Sequence, residues 1–365
     1  MKTYLPYSLI LAAAASGMAS GAETAYTTPV GYVTQTAAAN SDTIVGLSLR
    51  KASVAAGALS GVPDTVTTPG SAILSLSGTL GFTVNAYSNA YYAKFKSGAA
   101  SGKWFAISSN TASGLTVDLN GATLTAAASD TLEVIKFWTL TELIDPATAT
   151  TDPLTTPNAV VASTSTLTGG RRTQLLIPNL SSNGINLAPS VSYFVHGGLW
   201  KKPGQGDTSF GGDMLWPDTY FIIRNPAAVT AATKYTIAGE VEPSAFDFGL
   251  RTQITGQQDN AIALPRPVDV ALSGLGLGGT SGFVSSTSTL TGGRRDQVLV
   301  YDNTAAAQNK APSASYFYHN GLWKKPGQGD TDFGTDVIKA GSGIVVRKYQ
   351  SATGATDIWH SLPSY

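Results

Sequence analysis

The sequence predicts an all-β protein made of tandem β-sandwich or barrel-like domains, the last two an internal duplication. Three observations carry that prediction. Short runs of Thr, Val, Ile, Tyr and Phe recur between Gly, Pro, Asn, Asp and Ser, as at residues 91–96, 103–108, 132–140, 174–177, 193–196, 220–224, 298–301 and 344–349. That is the pattern of short strands and frequent turns. Apolar residues rarely recur at three-four spacing over ten or more residues, so amphipathic helices are nearly missing. The string STSTLTGGRR stands at residues 163–172 and again at 286–295, an offset of 123.

Taken in chain order, the first 22 residues read as a secretory signal. Lys2 is its only charge, an apolar run follows at residues 9–15, and Ser20-Gly21-Ala22 is a small-residue cleavage site. The apolar run is shorter than the ~20 residues a helix needs to span a membrane. No later stretch has 18 consecutive apolar residues, so the mature chain is expected to carry no membrane span. It is placed on the extracellular or periplasmic side of a bacterial envelope, a compartment consistent with an exported protein that lacks Cys. Residues 23–145 form the expected N-terminal β-domain, residues 146–262 the first repeat copy and residues 263–365 the second. Residues 23–29 are a candidate free arm for strand addition to a neighbour. Ala-rich residues 48–60 are the one window expected to form two or three helical turns. Residues 91–96 and 103–107 read as a hairpin with a six-residue loop. Pro- and Thr-rich residues 145–158 are the expected linker, with a second junction near residues 256–267.

The duplication runs without a gap from residues 163–224 onto residues 286–347. Residues 198–207 match residues 321–330 without a change, and Arg224 meets Arg347. Within it a hairpin can be read residue by residue. Asn320-Gly321 sits between Tyr316-Phe317-Tyr318-His319 and Leu322-Trp323-Lys324-Lys325. Both central residues of such a turn need positive φ, which Asn-Gly supplies. The first copy has Gly197-Gly198 there. A two-residue loop sets His319 opposite Leu322, Tyr318 opposite Trp323 and Val195 opposite Trp200.

Thr28-Pro29-Val30-Gly31-Tyr32, the hairpin at residues 91–105, Phe137-Trp138-Thr139-Leu140 and the Tyr-Phe…Gly-Leu-Trp hairpin together resemble an uncharacterised family of exported β-rich proteins. That family has many paralogues in Verrucomicrobia and related bacteria. The resemblance covers nearly the whole mature chain. It implies export and a β-rich fold, and brings no activity or functional residue with it.

Composition removes several classes of function. The 23 basic and 23 acidic residues cancel, so no basic footprint for nucleic acid exists. With no Cys there is no thiolate nucleophile or Cys-ligated metal, and the three His form no paired zinc motif. No Gly-x-Ser-x-Gly elbow occurs. Residues 274–279 match Gly-x-Gly-x-x-Gly, but no helix follows to hold a pyrophosphate, so they read as a glycine-rich loop. Three candidates remain. Trp200 and Trp323, beside Lys201 and Lys324, are a candidate glycan-stacking surface if they are exposed. Asp330, Asp332 and Asp336, with Asp207 and Asp213 in the first copy, have the alternating carboxylates that suit calcium, although the bidentate Glu of a full loop is missing. Glu240 and Glu242 have the period that puts two acids on one strand face. The expected function is an exported structural or interaction protein, non-enzymatic, acting by self-association or by binding other surface proteins or glycans. A carbohydrate-binding module is the alternative.

Overall fold

The computed structural model describes residues 28–66, 70–78, 80–149, 160–280 and 282–363. The expected secretion signal, and residues 150–159 of the expected linker, lie outside the described residues. The regular structure is nearly all strand, as the turn-punctuated pattern predicts. The two diagnostic hairpins form with the predicted register: Val195 faces Trp200 and His196 faces Leu199, while Tyr318 faces Trp323 and His319 faces Leu322. Their turns use positive φ throughout, 61° and 70° at Gly197-Gly198, 51° and 80° at Asn320-Gly321.

Each hairpin is one margin of a five-stranded antiparallel sheet. The first runs Leu199–Lys201, Pro189–His196, Gln174–Pro178, Phe221–Asn225, Ser41–Val45. The second runs Leu322–Lys324, Ala314–His319, Gln297–Val300, Gly343–Lys348, Gln258–Ala263, in the same spatial order. The fifth strand of each comes from upstream of the repeated string. Ser41–Val45, which sequence spacing groups with the N-terminal region, therefore pairs in the first copy's sheet. Gln258–Ala263, within the expected second junction, is a fully buried strand. A carboxylate pins each fifth strand to its neighbour. Asp42 accepts from Arg224 Nε and Nη2 at 2.7 and 2.6 Å, and Asp259 accepts from Arg347 at 2.6 and 2.9 Å. Each sheet is covered by a two-stranded ribbon, Val30–Ala37 with Thr233–Glu240 and Phe246–Leu250 with Asp357–Ser361. The apolar faces of sheet and ribbon make one core per copy, with Trp200, Phe221 and Tyr235 in the first and Trp323, Phe248 and Trp359 in the second.

Between Arg50 and Trp138 the chain leaves the first copy to form a separate body. Its strands run Ser53–Ala58, Thr131–Lys136, Tyr91–Phe95, Trp104–Asn110, Gly114–Asp118, Ser71–Ser75, with Asp64–Val66 added outside. A Leu59–Leu76 bridge, with Ser77 N donating to Ala58 O at 2.8 Å, joins the ends and closes a barrel. Phe95, Phe105, Ile107, Leu132 and Val134 fill it. The expected 91–107 hairpin is its centre. The helix expected at residues 48–60 is not formed. Ser53–Ala58 pairs with Thr131–Lys136 instead, because that ladder and the Leu59–Leu76 closure beyond it outweigh the helical preference of three alanines.

The two copies pack through a reciprocal exchange of loops. Residues 302–309 of the second copy cover the outer edge of Ser41–Val45: Asp42 N donates to Ala307 O at 2.8 Å and Asn309 N donates to Asp42 Oδ2 at 2.7 Å. Residues 179–186 of the first copy do the same for Gln258–Ala263. Asp259 N donates to Gly184 O at 2.9 Å and Asn186 N donates to Asp259 Oδ2 at 2.7 Å. Positions 184 and 186 are 307 and 309 shifted by the repeat offset, so the interface has the form of a two-fold one. Ile44, Tyr220, Ala261, Ala263, Leu299 and Val345 fill its centre.

Candidate functional site

Both hairpin tryptophans turn inward. Trp200 is 0% exposed and its indole N–H donates to Ile144 O at 3.0 Å. Trp323 is 3% exposed and packs against Phe283 and Tyr318, each with ring centroids 5.5 Å away. A sugar ring stacks on an open aromatic face, and neither indole offers one, which corrects the expectation of a paired glycan platform. Lys201 and Lys324 are buried as well, their stems covered by the strands they sit in. Their ammonium groups reach the following turn, Lys201 Nζ lying 3.1 Å from Asp207 Oδ1 and Lys324 Nζ donating to Asp330 O at 2.5 Å.

That turn also spreads the carboxylates considered for calcium. Asp213 accepts from the Tyr193 hydroxyl at 2.8 Å and pairs with Lys202 at 2.7 Å; Asp336 does the same with Tyr316 and Lys325 at 2.8 and 2.7 Å. The Lys325 hydrogen bond holds the Asp336 carboxyl below its ordinary range. Asp332 Oδ1 accepts from the backbone N–H of Trp323 at 3.1 Å and of Gly334 at 3.0 Å. The five acids therefore face separate protein donors. Among the described residues no three His, Cys, Asp or Glu side chains converge on one point. His196 and His319 each hold Nδ1 2.9 and 2.8 Å from a carbonyl, of Ser163 and Ser286, which places a proton on that nitrogen.

A gathering of six ionisable groups lies where barrel and copies meet. Glu240 and Glu242 do share a face, and both turn onto Arg50. Arg50 Nη2 is 3.3 Å from Glu240 Oε2, its Nε is 3.7 Å from Glu242 Oε2, and its Nη1 is 2.9 Å from Glu133 Oε1 of the barrel. Lys94, also of the barrel, donates to Glu242 Oε1 at 2.8 Å and Ser244 Oγ at 2.5 Å. Arg266 donates to Glu242 O at 3.3 Å and to Ser361 O at 3.0 Å, which brings in the second copy. Burial works against the Lys94 charge and lowers its pKa despite Glu242. Burial opposes the Arg50 charge too, yet Glu133 and Glu242 outweigh it and the pKa is raised. The adjoining cavity, lined by Leu49, Tyr92, Trp138 and Phe246, has a volume of about 10 Å³, at the limit for one water. Two acids held by buried cations beside so little space have no room for a glycosidic substrate. The members run from Arg50 to Arg266, so no local motif marks the cluster in the sequence.

A second, more open cavity of about 140 Å³ lies beside the second copy's hairpin, lined by Ser273, Gly276, Gly278, Tyr318, Trp323 and Asp332. No helix among the described residues is long and apolar enough to cross a membrane. Compared with family models, with curated proteins and with solved structures, the chain matches none.

Proposed function

We propose that this chain is an exported structural or interaction protein of the bacterial envelope that works through its β-domain surfaces and not as an enzyme. The supporting observation is a loop presented twice. Residues 163–172 and 286–295 are identical, and each is held by its own bonds, Thr164 N to Gly170 O at 2.9 Å and Thr287 N to Gly293 O at 2.8 Å. Arg171 and Arg294 lie over Phe194 and Phe317 at 5.1 and 5.4 Å. These contacts account for Arg171 and Arg294, and the serine hydroxyls 2.0 Å from where a Cβ would stand account for Gly170 and Gly293. They do not account for Leu167 and Leu290, each 74% exposed at the loop tip. A lone exposed leucine is ordinary, and it is its presentation at both equivalent positions of the repeat that we read as the contact for a partner. Export is argued from Lys2, the apolar run at residues 9–15 and the small residues before Glu23.

The test is fractionation of an expressing bacterium followed by light scattering of the purified mature chain. The chain is expected in the envelope or the medium, lacking residues 1–22, and either retained on the envelope or larger than a monomer. Leu167→Asp with Leu290→Asp should abolish that retention or assembly without unfolding the sheets. A cytoplasmic location, or a double variant that behaves as the parent does, would overturn the reading.

A further inference from the structure

The two copies share strand order, hairpin register and turn sequence, so differences between them at one place are informative. Three such differences surround the cavity of about 140 Å³. Position 318 is Tyr where the first copy has Val195, and position 332 is Asp where the first copy has Ser209. The wall differs as well. Val270 faces Ile338 as Trp138 faces Leu215, which sets Gly276 and Gly278 where the first copy has Ile144 and Pro146. Gly278 is required by the ring beside it, since a Cβ there would lie 2.6 Å from Tyr318 Cε2, while Gly276 serves a backbone turn with φ 67°. In the first copy Ile144 O accepts the Trp200 indole N–H. The Trp323 indole N–H has no acceptor among the described residues, and Trp323, though 3% exposed, is among the residues that line the cavity.

Charge changes in step with shape. In the first copy Asp207 and Asp213 each face a lysine, Lys201 and Lys202. In the second, Asp330 and Asp336 face Lys324 and Lys325 in the same way. Asp332 is the added acid. No cation pairs with it among the described residues, and both of its hydrogen bonds there fall on Oδ1, leaving Oδ2 with none. The cavity thus offers a carboxylate without a counter-ion, a Tyr ring edge-on to a Trp ring at 67°, and the Ser273 side chain. The carboxylate and the partly exposed Tyr318 ring together attract a cation with carbon substituents, through charge and through the ring quadrupole. The space is below the ~300 Å³ of a drug-sized pocket and suits a head group.

We propose that this cleft binds a small organic ammonium group, primary or methylated, as a second and separate binding site on the chain. The experiment follows the Trp side-chain N–H resonances of the full mature chain during titration with choline, ethanolamine and the neutral choline isostere 3,3-dimethylbutan-1-ol. A saturable shift of the Trp323 resonance with choline, ethanolamine or both is expected, with Trp200 unmoved. Binding of choline alone would assign recognition to the rings, and binding of ethanolamine alone to the carboxylate. Asp332→Asn keeps an acceptor for the two backbone N–H groups and should weaken binding about tenfold. Tyr318→Val, which restores the first copy's residue, should weaken it about threefold or more. No saturable shift with either ammonium probe, an equal shift with the neutral isostere, or undiminished binding by Asp332→Asn would overturn the proposal.

Discussion

Asp218 shows how far a single side chain departs from its behaviour in water. Burial pushes its carboxyl up from 3.8 to about 6, against a hydrogen bond from the Thr219 hydroxyl. The native state therefore holds a proton that the unfolded chain has already released. Stability from this group is fully present below the unfolded value and is lost as pH rises to about 6. Asp218→Asn keeps the Thr219 contact and should stabilise the protein by about 1–2 kcal/mol at pH 7, with little effect near pH 4. Urea unfolding at the two pH values checks this. The opposite case is Lys94, whose partner Glu242 is buried with it. Removing one member of such a pair leaves a charge that burial cannot tolerate, so Lys94→Met should cost about 3 kcal/mol. Denaturant midpoints measure it, and an unchanged midpoint would contradict the geometry. The cross-strand partners of the hairpin tryptophans followed from a two-residue turn, because that register is set locally, but which face turns inward did not, since burial depends on the ribbon that covers the sheet. The Arg50 cluster did not, since its members meet only when three bodies pack.

At the scale of an element, the paired hairpins are a built-in comparison. Asn320 and Gly197 occupy the same turn position with φ of 51° and 61°. Asn adopts that conformation at small cost, while Gly loses more freedom on folding. Gly197→Asn should raise stability by about 0.5 kcal/mol, whereas Gly198→Ala, at φ 70°, should lower it by about 1 kcal/mol. Thermal melts of the two variants should move in opposite directions. Turn chemistry and alternation made these strands legible in sequence. Ser53–Ala58 was not legible, because its small residues hold no strand pattern and take their conformation from Thr131–Lys136. Ser41–Val45 was equally hidden. Its aspartate, Asp42, pairs with an arginine 182 residues later, and nothing near it announces that partner.

At the scale of the whole molecule, the copies depend on each other. Each covers the other's outermost strand, and Asp42 binds at once its own sheet through Arg224 and the opposite copy through Asn309. Asp42→Ala should cost about 2–3 kcal/mol and move the unfolding of both copies together. Calorimetry should show one displaced transition for the pair. Two separated transitions, with only the first displaced, would mean that the copies fold independently. The barrel stands in a different relation to its host. The chain departs after Arg50 and re-enters at Trp138, and these points lie side by side, with the Trp138 indole N–H donating to Leu49 O at 3.1 Å. The corresponding stretch of the second copy, between Arg266 and Val270, holds only three residues. One scaffold thus exists here in two versions, with and without a guest module spliced at a single doorway. The same doorway in the second copy is an engineering port, where a foreign domain with adjacent termini could be grafted while both sheets keep their strands.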